Sequence, residues 1–163
     1  MKRIFLHMKF KNTLSLMLIL VVMVLGASCE KEMIDRTVPN PKQLLAGRLM
    51  GTWGNPANII TPTDVPPDVF GDMRLVFTTD EAGNPAVFFG KDCPIVFSAT
   101  ESAWVVSGTP ELTTVKLSGT APVDEFEAHV DAKNLTVAFY MGWENMETGE
   151  IGEGNFQVTL SRQ

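Results

Sequence analysis

Histidine and cysteine are nearly absent from this chain, with two of each in 163 residues. Acid–base and metal chemistry draw first on imidazole and thiolate, so a chain poor in both has little to build such sites from. The motifs of the large enzyme classes are missing as well. There is no HExxH, no G-x-S-x-G, no P-loop and no GxGxxG opening a helix. No enzymatic activity, cofactor or metal is expected. Past residue 28 the one histidine is His129. It stands beside Glu127 and Asp131 on the polar face of a strand pattern, the usual place of a solvated side chain. Cys93 ends the run Lys91-Asp92-Cys93-Pro94 at the edge of an apolar stretch and reads as a buried, inert thiol. If Cys29 is modified, Cys93 has no partner and the fold carries no intramolecular disulfide. Basic charge is also scarce. Beyond residue 28 there are nine Lys and Arg against 19 Asp and Glu, a net charge of −10. Such a surface repels phosphate backbones and anionic lipid heads, which excludes nucleic acid as a partner.

What the chain does have is an N-terminus of three parts. Lys2, Arg3, Lys9 and Lys11 precede any acid. An apolar core follows over residues 14–25, interrupted only by Ser15. It falls short of the roughly 20 residues that cross a bilayer and within the roughly 7–15 of an export signal. Gly26-Ala27-Ser28 then leads to Cys29. Leu25-Gly26-Ala27-Ser28-Cys29 resembles the lipobox of Bacteroidota-type bacterial lipoproteins, and Glu30-Lys31-Glu32 with Asp35 resembles their acidic surface-export signal. The resemblance implies removal of residues 1–28, lipidation of Cys29 by acyl chains such as palmitate, and anchoring to the outer membrane, with surface display as one outcome. Several acyl chains anchor stably where one binds only marginally. An uncleaved single-pass anchor and a plain secretory signal with a free Cys29 remain the alternatives.

Removal of the signal leaves 135 residues, one domain with room for a core. Residues 29–43 read as the lipidated cysteine and a tether, with Pro39-Asn40-Pro41 near its end. The folded domain is expected over 44–163. Short β-type runs punctuated by Gly, Pro, Asn and Asp place strands near 48–53, 72–79, 86–90, 94–98, 102–107, 113–119, 125–131, 135–141 and 154–161. A short helix fits 41–47 or 65–71. Period-two alternation is cleanest in the C-terminal half. Phe126, Ala128 and Val130, then Leu135, Val137, Phe139 and Met141, then Phe156, Val158 and Leu160 each occupy one face. That is an antiparallel sheet wet on its other side. The turn Asp131-Ala132-Lys133-Asn134 makes 125–141 a hairpin, with Asn134 suited to the left-handed conformation. The fold class is therefore all-β, an antiparallel up-and-down meander closed as a barrel or stacked as a β-sandwich.

At the first strand, Leu49-Met50-Gly51-Thr52-Trp53 resembles the Gly-x-Trp start of lipocalins and of lipocalin-like domains in bacterial lipoproteins. The resemblance covers residues 45–163. It implies that Gly51 permits close chain approach, that Trp53 plugs the closed end of a barrel, and that Arg162 packs over Trp53. It also implies that the connection 54–71, with Pro56, Pro62, Pro66 and Pro67, lids the cup.

Aromatic residues are the functional lead. Trp104, Phe126 and Phe139 either fill the interior or wall an apolar cavity. Trp143 follows Gly142 where a strand runs into the acidic segment holding Glu144, Glu147, Glu150 and Glu153. That indole suits a cup mouth or a surface that stacks on sugars, and Tyr140 is placed to join it. The glutamates match no calcium-binding loop. Three functions follow: a lipid-anchored protein binding a small apolar or amphipathic ligand in a barrel cavity, a surface glycan-binding or accessory module of a nutrient-uptake system, and a structural envelope protein with a filled core.

Overall fold

The computed structural model describes residues 38–99 and 101–163. The signal, Cys29 and most of the tether lie outside the described residues.

The described chain opens with a helix, α1 (Pro41–Leu49). Asn40 caps it, accepting from the Gln43 backbone while the Gln43 side chain accepts from the Asn40 backbone. Pro41 at the first position has no backbone donor to waste. The helix starts before residue 44, so the last residues assigned to the tether belong to the fold. It buries Leu45, Ala46 and Leu49. Gln43 Nε2 donates to Ala82 O at 2.7 Å and Arg48 Nη2 to Val130 O at 2.9 Å, which fixes α1 across one end of the domain.

Eight strands follow: β1 (Gly51–Ile60), β2 (Arg74–Thr79), β3 (Pro85–Lys91), β4 (Glu101–Gly108), β5 (Thr113–Leu117), β6 (Glu125–Asp131), β7 (Asn134–Glu144) and β8 (Ile151–Arg162). Each pairs antiparallel with its sequence neighbour, and β1 pairs with β8 to close the barrel. The meander is thus a barrel and not a sandwich. Closure leaves no free sheet edge along the ladder. Alternate residues point inward as the sequence pattern requires: Ser102, Trp104 and Val106 on β4, and Leu135, Val137, Phe139 and Met141 on β7.

Four local expectations are corrected. Residues 94–98 do not form a ninth strand. The chain turns at Cys93, with Val96 N and Phe97 N both donating to Cys93 O, and drives Val96 and Phe97 into the core. The apolar run there is a plug, tied to the β5–β6 connection by an isolated Phe97–Pro122 bridge. The first strand starts at Gly51, because Arg48 and Leu49 complete the helix. Residues 54–60 are not loop but continue β1 against β8. Register shifts interrupt that pairing, and Asn55 and Asn58 take φ of 52° and 48°. Asparagine tolerates this left-handed geometry, and such bulges twist a strand without ending it. In the β6–β7 turn, Asp131 pairs with Asn134, so the loop is two residues and Ala132, at φ 35°, takes the left-handed position expected of Asn134.

The connection that lids the barrel is therefore 61–73. It contains a 3₁₀ turn, Pro67–Phe70, that buries Phe70. Helix α1 covers the end where β2–β3, β4–β5 and β6–β7 turn. The lid lies at the other end, with the β3–β4 and β7–β8 connections.

Candidate functional site

At the helix-covered end the sequence motif comes together. Trp53 is fully buried and its Nε1 donates to Leu49 O at 2.7 Å. Trp53 and Arg162 are register partners, and the guanidinium carbon sits 4.7 Å from the centroid of the indole. Arg162 Nη2 also donates to Arg48 O and Met50 O, at 3.0 and 2.9 Å. A cation over the indole and against the last carbonyls of a helix is favourable on both counts. Gly51, at φ 129°, brings the chain to within van der Waals range of Arg162. These three residues close the barrel bottom.

The middle of the barrel is filled. Phe77 packs edge-on against Phe88 and Trp104, each at 5.1 Å between centroids, and Phe97 packs on Phe88 at 5.0 Å. Phe126 touches this group through Phe77, Phe88 and Phe97. The Trp104 indole donates to Thr78 O, which satisfies it within the fold. Higher up, Phe139 and Phe156 stack face to face at 5.5 Å, and Phe70 of the lid stands edge-on to both. Trp104, Phe126 and Phe139, considered from sequence as cavity walls, are buried at 2, 3 and 5% exposure and fill the interior through these ring contacts. Cys93 belongs to the same packing, and burial raises its thiol from an ordinary 9.0 to about 12.

Above Phe156 the inward positions of β8 become small. Gly152 and Gly154 occupy the inward positions of β8, two residues apart. Trp143, register partner of Gly152, lies so close over it that an added Cβ would meet the indole at 2.4 Å. Pro62 of the lid lies over Gly154 in the same way, at 2.7 Å. The indole Nε1 of Trp143 is buried with no hydrogen-bond partner among the described residues. Natively unpaired buried donors are uncommon and cost about 1–3 kcal/mol.

Beside Trp143 is a cleft of about 590 Å³ between the lid, the β3–β4 connection and the β7–β8 hairpin. Val65, Pro66, Val69, Ile95 and Met141 supply its apolar walls; Asp64, Glu144 and Glu147 stand among its other lining residues, and among the described residues no Lys, Arg or His does. Val69 and Ile95 are partly exposed there, and Ile151 more so. Among the described residues no cluster of three His, Cys, Asp or Glu has metal-binding geometry.

Tyr140 does not join Trp143. One residue step on β7 puts it outside the barrel, 56% exposed, where hydrogen bonding to Glu153 raises its phenol pKa. Of the sequence candidates, then, only Trp143 lies at the mouth. Gly152, Gly154, Val65 and Ile95 escaped sequence reading, and Pro62 was read only as part of the lid. The legible signal was Gly152-Glu153-Gly154, two glycines on one face of a strand opposite a tryptophan. No protein-family model matches the chain, and neither a curated protein nor a solved structure shows significant similarity to it.

Proposed function

We propose that this chain is a lipid-anchored outer-membrane protein, held through Cys29, that binds a small amphipathic ligand at the barrel mouth and not along the barrel axis. Its role is binding and not catalysis. The observation that carries the reading is the apolar cleft beside Trp143, whose indole N–H is buried and unpaired. A ligand acceptor that reached this N–H would relieve its cost, while the apolar body would displace water at about 25 cal/mol per Å². The volume lies within the roughly 300–1,000 Å³ of small-molecule sites. Three carboxylates without a neighbouring cation disfavour an anionic head, so neutral or cationic amphiphiles are preferred over fatty acids.

The test is a titration of the soluble chain from Glu30 with the neutral dye N-phenyl-1-naphthylamine. Saturable one-site binding is expected, weakened about tenfold by Trp143→Ala, a loss of about 1.4 kcal/mol. A sulfonated naphthalene dye should bind more weakly. Failure of the folded protein to take up the neutral dye would sink this reading. The aromatic filling of the barrel favours a structural envelope protein in that event.

A further inference from the structure

A second concave surface lies on the outside of the barrel, away from the mouth. Because Phe126, Phe139 and Phe156 face the core, their strand neighbours must face outward. Register then sets a row across five strands: Thr114 beside Glu127, Glu127 beside Ala138, Ala138 beside Gln157, and Gln157 beside Ile60. Tyr140, paired with Asn155, stands in the adjoining row. Together with Glu125 and with atoms of Phe126, Phe139 and Phe156 they line a groove of about 470 Å³. The methyl of Ala138 makes a low point, and Tyr140 and Ile60, each 56% exposed, provide apolar surface around it.

The polar groups decide what fits. The amides of Asn155 and Gln157 offer donors and acceptors, Thr114 offers a hydroxyl and Glu127 a carboxylate. Among the described residues, none of these side chains is hydrogen-bonded within the protein. Lys116, the cation nearest in register, is paired with Glu125 at 3.4 Å. A phosphate or carboxylate ligand would therefore meet Glu127 with no free cation to offset it. A wholly apolar ligand would strip water from amides and a carboxylate and give nothing back. A pyranose suits both demands. Its hydroxyls donate and accept, it carries no charge, and its C–H face matches an exposed aromatic ring.

We propose that this outer groove, formed by Tyr140, Ala138, Asn155, Gln157 and Glu127, binds a neutral sugar unit of a glycan. The site is independent of the mouth cleft, since Trp143 faces inward and takes no part in it. The sugar is recognised by Tyr140 and the two amides, with Glu127 accepting from a hydroxyl.

Native-gel affinity electrophoresis of the chain from Glu30 tests the assignment, with dextran, laminarin, xylan and galactomannan each cast into the gel. At least one should retard the protein. Tyr140→Ala should weaken that retardation about tenfold, the loss of about 1.4 kcal/mol of ring contact. Gln157→Ala should weaken it as well, while Trp143→Ala leaves it unchanged. Tyr140 and Gln157 lie on the barrel's outer face, and far-ultraviolet circular dichroism confirms that each variant folds. Absence of retardation by all four polysaccharides, or retardation indifferent to Tyr140→Ala and Gln157→Ala, overturns the proposal. Salt-sensitive binding of an oligolysine peptide without any retardation overturns it too and assigns the face to a cationic partner.

Discussion

Cys93 shows how a single residue reports on its surroundings. Burial is the largest influence on its thiol, with the neighbouring Asp92 carboxylate adding to it, and together they outweigh a backbone hydrogen bond at Arg74. The folded chain therefore holds the proton from 9.0 up to about 12. Below the unfolded thiol's range this favours the fold in full. As pH climbs from about 9 toward about 12 that contribution disappears, because unfolding then releases a proton. Two outcomes are expected. A disulfide reagent should leave Cys93 unmodified in the native protein and modify it at the rate of global opening. The denaturation midpoint should decline through that alkaline window, and less so in Cys93→Ala, which has no thiol to ionise. Rapid labelling of native protein at neutral pH would contradict the burial. The burial was legible from sequence, since an apolar neighbourhood predicts it. The unpaired N–H of Trp143 was not, because hydrogen-bond satisfaction depends on the side chains of β8 and the lid.

Among the elements, legibility followed periodicity. The β6–β7 hairpin and β8 read directly, since their outer faces are wet and alternate residues declare the buried side. The plug at Cys93–Phe97 misread as a strand because a short apolar run looks the same whether it joins a ladder or fills a barrel. The lid was recognised by its prolines, yet its start was misplaced. Bulges at Asn55 and Asn58 carry β1 through a segment whose composition says loop. The backbone hydrogen bonds found in the lid are local, from Val65 to Pro62, Val69 to Pro66, Gly71 to Asp68 and Met73 to Phe70. What seats it is side-chain burial, chiefly Phe70 against Phe139 and Phe156. Phe70→Ala should therefore cost about 3–5 kcal/mol by the measure of buried Phe truncations. It should also expose residues 61–73 to limited proteolysis while β7 and β8 stay protected from hydrogen exchange. Equal loss of protection in lid and barrel would show that the lid is not a separately opening unit.

For the whole molecule, the barrel and the proposed N-terminal signal answer separate physical demands. Residues 38–163 close their own sheet and bury their own core, and no described helix is long and apolar enough to cross a membrane. Barrel closure was only half legible: Gly51, Trp53 and Arg162 pointed to it, but the β1–β8 pairing joins opposite ends of the domain and leaves no local trace. Membrane attachment, on the function proposed above, would rest on residues 1–29, with their basic, apolar and small segments. Mass spectrometry of the N-terminal peptide from membrane-purified protein separates the three readings of that segment. Lipidation predicts a peptide beginning at Cys29 with the added mass of a diacylglyceryl group, and Cys29→Ser should lack it. A peptide beginning at Met1 would mean an uncleaved anchor, and an unmodified Cys29 a plain secretory signal. Because residues 38–163 close their own sheet and bury their own core, the chain from Glu30 should remain soluble and give the dye titration expected above. Were the folded truncated chain to take up no dye, the reading of the cleft beside Trp143 as a ligand site would fall.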